Sequence, residues 1–354
     1  MTKSIRLLIV DDDAVFRSFL RSCLSELDNV EVLGVARDGR DALKKIKLLK
    51  PDLVTLDMEM PFLTGIEVLQ CLQEEAPETC VLVISNDSET DADRTVQALA
   101  SGAYDFVLKS ICAGKNPRAA LLKVLEEKIP LARSVAVVTQ RSSRKQKPIT
   151  MVKSSIKRNS ACPDVVAIGS STGGPVALHT VLQAFPASFS VPIIVTQHMP
   201  KLFLVSLVER LEKETVLTCK LAEDGMTLEA GCIYVAPGDV HMEIERIGVQ
   251  LRVCLVDGER VNHCKPAVDV MFHSLARLAP RVRSLAVVLT GMGNDGAAGA
   301  KALADKKSHV IAQDKASSVV WGMPGQTVSM GAATEILPLK DIAASIMKCC
   351  GVAL

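Results

Sequence analysis

Two kinds of apolar spacing recur along this chain. Short, nearly unbroken apolar runs predict buried strands, and apolar residues three and four apart predict helices. Strand-like runs lie at 4–10, 30–36, 53–56, 80–84 and 106–108. After the first, Val15, Phe16, Phe19, Leu20, Cys23, Leu24 and Leu27 recur at helical spacing. Strands alternating with helices predict a parallel sheet. The same alternation returns after residue 163, with strands at 165–168, 191–197, 218–221, 232–235, 249–256, 285–289 and 309–312. Helices are predicted at 176–185, opened by Pro175, and at 202–213 and 268–278. The last carries Val268, Met271, Phe272, Leu275 and Leu278 on one face. The stretch around 232–256 predicts a β-hairpin insert. The fold class is α/β, as two doubly wound parallel-sheet domains.

Polar residues concentrate where the first five strands end. Asp11 and Asp12 close the first strand, Asp57 the third, Ser85 the fourth and Lys109 the fifth. One acid at a strand end is usually a helix N-cap. Carboxylates gathered on one rim repel unless a hard cation sits among them, and Mg²⁺ suits oxygen ligands plus a phosphate. Lys109 can pair with that anion and Ser85 can hydrogen-bond it.

In the second half, the run 165–168 feeds into Gly169-Ser170-Ser171-Thr172-Gly173-Gly174. A strand, a tight turn and a helix start fit two jobs, cradling a phosphate or presenting a serine nucleophile. Two later strand ends carry His198 and Asp295, and a serine needs a base that is itself oriented by an acid. Gly291-Met292-Gly293 is lean in side chains, so its N–H groups can face an oxyanion. The order Ser…His…Asp differs from the Ser…Asp…His of α/β-hydrolases. Weaker rivals are His241 and His263 in loops and Asp239, Asp269 and Asp314. His179 and His273 sit in predicted helices and read as structural or exposed, and His309 opens a strand. Trp321 reads as core, with cleft lining as the alternative.

A chain of 354 residues suits two domains. The boundaries are drawn at 1–130 and 164–354, with a basic flexible linker at 131–163 that is rich in Lys and Arg and free of acids. That linker is a tether or a dock for an acidic surface. A net charge of +1 gives no electrostatic case for nucleic acid. No apolar run approaches the ~20 residues of a membrane helix, so membrane insertion is not expected. Met1-Thr2-Lys3 leads directly into a strand, so no signal peptide is expected. Eleven cysteines, odd in number and scattered, suit small core residues in a reducing cytoplasm.

Over residues 4 to about 130 the chain resembles the response-regulator receiver family, which is flavodoxin-like. The resemblance implies Asp57 as phospho-acceptor from a histidine kinase. It implies Mg²⁺ held by Asp12 and Asp57 with Asp11 behind them and the Glu59 carbonyl as a further ligand. Ser85 and Phe106 correspond to switch residues and Lys109 to the phosphate contact. Ser110 stands where the family usually has proline, so a rearranged loop is expected there.

From 164 to about 347, Ile168-Gly-Ser-Ser-Thr-Gly-Gly174, Thr196-Gln-His-Met-Pro200, Tyr234-Val-Ala-Pro-Gly-Asp239, Pro266-Ala-Val-Asp-Val270 and Leu289-Thr-Gly-Met-Gly-Asn-Asp-Gly296 resemble the CheB-type chemotaxis methylesterases, with a Rossmann-like domain. The resemblance implies hydrolysis of glutamyl methyl esters on chemoreceptor cytoplasmic domains, with receptor glutamines also deamidated. Ser171 corresponds to the nucleophile, His198 to the base and Asp295 to the acid, with Thr172 and Met292 shaping the oxyanion site. No cofactor is expected in this domain. It also implies that the unphosphorylated receiver covers the cleft, so that removing residues 1–150 raises basal activity. Ser170 takes the place of a frequent alanine and sets a second hydroxyl beside Ser171. The alternative is a response regulator whose output domain binds receptor without catalysis.

Overall fold

A computed structural model describes residues 4–133, 135 and 162–352. The chain divides into two compact units, Met1–Gln146 and Lys147–Leu354. Apart from residues 131–133, 135 and 162–163, the basic segment 131–163 lies outside the described residues. Leu131–Arg133 is still helical and Ala132 is buried, so packed structure runs past residue 130.

The first unit alternates β1 (Ile5–Val10), α1 (Ala14–Leu24), β2 (Val30–Ala36), α2 (Gly39–Leu49), β3 (Leu53–Asp57), α3 (Gly65–Glu75), β4 (Cys80–Ser85), α4 (Glu89–Ala100), β5 (Asp105–Leu108) and α5 (Pro117–Lys128). All four strand pairings are parallel, in the order β2-β1-β3-β4-β5. Every residue of β3 and β4 is buried, which is why those strands read as unbroken apolar runs. Helix starts are fixed locally. Asp13 accepts the Val15 and Phe16 N–H groups, and Thr64 and Glu67 form a capping box at α3. Val15 sits in that first turn at the rim and is 78% exposed, so the buried face of α1 is Leu20, Cys23 and Leu24. After Lys109 the chain makes a 3₁₀ turn, Lys109–Ala113. The cis peptide bonds of the described residues precede Pro266 and Pro280 instead.

The second unit runs β6 (Val165–Ser170), α6 (Gly174–Leu182), β7 (Ile193–Gln197), α7 (Lys201–Glu214), β8 (Thr218–Leu221), β9 (Cys232–Val235), β10 (His241–Ile247) and β11 (Gln250–Val256). It continues with α8 (Val268–Leu278), β12 (Ser284–Val288), α9 (Ala297–Asp305), β13 (His309–Gln313), α10 (Met323–Ser329), β14 (Glu335–Leu337) and α11 (Leu339–Cys349). Seven parallel strands are ordered β14-β13-β12-β6-β7-β9-β8. The hairpin insert is narrower than expected: β10 and β11 pair antiparallel through residues 241–256, whereas Cys232–Val235 joins the main sheet. Met242, Ile244 and Val253 of the hairpin share a core with Val268, Met271, Phe272 and Leu275 of α8. Among the described residues, no helix is long and apolar enough to cross a membrane.

Candidate active site

In an open parallel sheet, ligands bind beyond the strand ends where the strand order reverses. In the second unit the order reverses between β6 and β12. Ser171 follows β6, Thr290 and Gly291 follow the end of β12, and His198 follows β7. The last residues of β6 and β7, Ser170 and Gln197, are register partners, and the His198 N–H donates to the Ser170 carbonyl at 3.1 Å. The two catalytic candidates therefore leave adjacent strands side by side.

The serine turn is tight. The Ser171 N–H donates to the Thr290 carbonyl at 3.1 Å, and the Gly174 N–H donates to the Ser171 carbonyl at 2.7 Å. Gly173 sits at φ +74°, where a side chain is strained. A Cβ on Gly291 would lie 2.8 Å from the Ser171 Cβ and 2.3 Å from the Met323 sulfur, so the two loops approach this closely only with glycine there. The Gln197 amide ties the turn together. It donates to the Ser171 carbonyl at 3.0 Å and to the His198 carbonyl at 3.2 Å, and it accepts from the Ser170 hydroxyl at 2.6 Å. Ser170 is fully buried, so its hydroxyl serves Gln197 and is turned away from the cleft.

His198 Nε2 lies 2.7 Å from Asp295 Oδ2. Asp295 precedes α9, and that helix has no side-chain cap hydrogen bond. Instead the Asp295 carboxylate accepts the N–H groups of Val268 at 2.6 Å and Asp269 at 3.0 Å, at the start of α8, and the Asn262 amide at 3.0 Å. A negative charge at a helix N-terminus is favourable. Burial works against the Asp295 carboxylate, but the His198 ring and these donors outweigh it and hold its pKa below the usual range. Burial likewise opposes a charged His198, but hydrogen bonds to Asp295 and Cys264 prevail and raise it to about 9. A general base must be neutral to accept a proton. The expected pH profile is therefore kcat/KM rising from neutral pH toward about 9, and a rate that falls over that interval would contradict His198 as the base.

Since Asp295 holds Nε2, the ring nitrogen left for proton transfer is Nδ1. The Cys264 sulfur lies 3.4 Å from it. Asn262 and Cys264 had no separate signal beyond their place in a cleft-lining loop. Their roles come from a two-residue turn that no glycine announces. The rivals sort differently. His241 is buried and spends both ring nitrogens, on the Glu259 carbonyl and the Ala267 N–H. Asp269 stands behind Asp295, accepting from Asn262 and Gly299. Asp314 accepts from Ser317 within its own turn. Thr172 is buried and Met292 half-buried on the flanks of Ser171. Trp321 pairs with Gly291 across a bridge and donates to the Gln313 carbonyl, which places it behind the glycine loop.

The first unit has its own reversal, between β1 and β3. Lys109 Nζ lies 2.7 Å from Asp57 and 2.9 Å from Asp11. Burial raises the Asp57 carboxyl to about 6 against the Lys109 hydrogen bond, and the Asp11 charge adds to the rise. Asp11 is raised by burial too. Its Oδ2 is buried with the Lys109 ammonium beside it but without an aligned hydrogen bond. One lysine leaves this rim short of positive charge, and oxygens of Asp11, Asp12 and Asp57 lie within 4.8 Å of one another. That donor set fits a hard cation. Ser85 accepts from Thr95 at 2.8 Å, and the Glu59 side chain is turned to Arg94.

The CheB methylesterase family model matches residues 166–346, and the response regulator receiver domain model matches 7–118. The protein-glutamate methylesterase/protein-glutamine glutaminase of Geobacillus kaustophilus is 41% identical over 357 residues, covering 99% of both chains. The protein of the same name from Trichodesmium erythraeum is 39% identical over 97% of this chain and 98% of its own. The Thermotoga maritima CheB methylesterase catalytic domain has 38% identity and a TM-score of 0.51, covering 53% of this chain and 99% of that one. With matches in both units and a full-length likeness near 40%, the chain belongs to the receiver-bearing CheB methylesterase family.

Proposed function

We propose that this chain is a phosphorylation-regulated protein-glutamate methylesterase and protein-glutamine glutaminase whose hydrolysis runs through Ser171, His198 and Asp295. The observation that carries the reading is the pairing of half-buried His198 with buried Asp295 at 2.7 Å, delivered by β7 and β12 beside the serine that leaves β6. In the first step Ser171 Oγ attacks the ester carbonyl while His198 Nδ1 takes its proton. Backbone N–H groups around Thr172 and Met292 hold the oxyanion. The tetrahedral intermediate collapses, the C–O bond to methoxide breaks, and His198 returns the proton so that methanol leaves. Water then attacks the acyl-enzyme by the same base, releasing glutamate and free serine. With a glutamine substrate, ammonia leaves in place of methanol. Asp295 holds Nε2–H and stabilises the charged ring. The substrates are methylated chemoreceptor cytoplasmic domains, and the work is done in the cytoplasm.

Asp57 is the phospho-acceptor for a histidine kinase. Asp11, Asp12 and Asp57, with the Glu59 carbonyl, would hold Mg²⁺, which supplies charge neutralisation to a phosphorylated carboxylate. Lys109 pairs with the phosphate, and Ser85 and Phe106 answer it as the switch. The expected result is that a small-molecule phosphodonor raises methanol release from methylated receptor membranes. Asp57→Asn should keep the unstimulated rate and lose the rise. A rise of equal size in Asp57→Asn would place the control elsewhere.

A further inference from the structure

We propose that His198 and Cys264 form a site for Zn²⁺, and that the ion, when bound there, switches off the serine chemistry. Val261 and Cys264 exchange both backbone hydrogen bonds, and the two residues between them, Asn262 and His263, have φ of +51° and +65°. Two positive φ values in a two-residue loop define a type I′ turn, a stiff connection. The turn spends two left-handed non-glycine residues to aim Asn262 at Asp295 and Cys264 at His198.

The spacing suits a cation. Zinc bonds to imidazole nitrogen at about 2.05 Å and to thiolate sulfur at about 2.3 Å, which at a tetrahedral angle sets the two donors about 3.6 Å apart. Here Nδ1 and Sγ are 3.4 Å apart. Asp295 also lies in this cluster of donor atoms, all within 4.8 Å of one another, but it is taken up by Nε2 and stands beside the ring rather than at the ion, so the protein supplies two ligands, Nδ1 and Sγ. With Asp295 on Nε2, the Nδ1 lone pair is fixed in direction, the carboxylate–histidine–metal arrangement that strengthens metal sites. Sulfur and imidazole favour Zn²⁺, whereas the all-oxygen rim of Asp11, Asp12 and Asp57 suits a hard ion. On binding, the Cys264 thiol gives its proton to solvent, the sulfur and Nδ1 each donate an electron pair to the metal, and water fills the open positions. That Nδ1 pair is the one that accepts the Ser171 proton. Inhibition therefore rests on the reading of His198 as base, while binding does not.

The test uses the full chain, freed of metal under reducing conditions, with Co²⁺ as optical probe and Zn²⁺ as competitor. Wild type should show a thiolate-to-cobalt charge-transfer band that Zn²⁺ removes, and Asp57→Asn should keep it. Cys264→Ala and Cys264→Ser should lose it. Zn²⁺ should inhibit methanol release, reversibly by chelator, and either Cys264 variant should need at least about tenfold more zinc. A band that survives in both variants, or equal zinc sensitivity in wild type and variants, overturns the site. A band that depends on Cys264 without inhibition keeps the site and overturns its effect on catalysis.

Discussion

Replacing Ser171 with alanine is expected to lower methanol release by on the order of 10⁴–10⁶, through kcat rather than KM. The attacking oxygen is lost, and what remains is binding and the oxyanion donors. The fold should survive. Ser171 is half-buried, and its hydroxyl makes no hydrogen bond among the described residues. Its structural bonds run through the main chain, to Thr290, Gly174 and Gln197, and alanine keeps them. Ser170→Ala is the control. That hydroxyl is buried against Gln197 Oε1 at 2.6 Å, so its removal should cost about 1–3 kcal/mol of stability and leave methanol release in place. Thermal unfolding and methanol assays on both variants separate the roles. A large rate loss in Ser170→Ala with an active Ser171→Ala would move the nucleophile by one residue.

The plainest elements in the sequence are those buried on both faces, although the half-exposed β2, β8 and β11 were also legible. β3, β4, β6 and β12 are wholly buried, so their apolar runs stand out, and the polar residue that ends each run marks the rim. Reading those runs placed the candidates Asp57 and Ser85 at strand ends in the first unit, and Ser171 and Asp295 after strands in the second. β10 was missed because its second half, Glu245–Ile247, is exposed and charged, which breaks the apolar run. The short β14, three residues long with an exposed centre, left no periodicity to see. The supporting contacts were not legible for a different reason. Asn262 reaches Asp295 across 33 residues and Gln197 reaches back to Ser171 across 26, and spacing carries no trace of such bonds. The type I′ turn at 262–263 lacks the Asn-Gly pair that usually signals one, so Cys264 read as one more scattered thiol.

Asp295→Asn is expected to lower kcat by on the order of 10⁴ while leaving substrate binding nearly unchanged. The carboxylate accepts four hydrogen bonds, from His198, Asn262, Val268 and Asp269. Val268 and Asp269 give backbone N–H groups that cannot turn into acceptors, one on each carboxylate oxygen. Oδ1 takes the Asn262 and Asp269 donors, so an asparagine should keep its oxygen there, which points its NH₂ at His198 Nε2 and leaves the Val268 N–H, the other donor on Oδ2, without an acceptor. The ring then answers by carrying its proton on Nδ1, the nitrogen that should receive the proton of Ser171. The base is present in the wrong tautomer. The His198 pKa should also fall once the carboxylate is gone, because the largest force holding it up is the hydrogen bond to Asp295. The rate-controlling pKa should therefore move toward neutral even as the maximum rate collapses. Leaving the Val268 N–H without an acceptor in this buried place should cost about 1–3 kcal/mol of stability, which thermal unfolding reads independently of catalysis. A variant with nearly full kcat would show that Asp295 only braces α8, and the proton would then have to be managed by another neighbour of the ring.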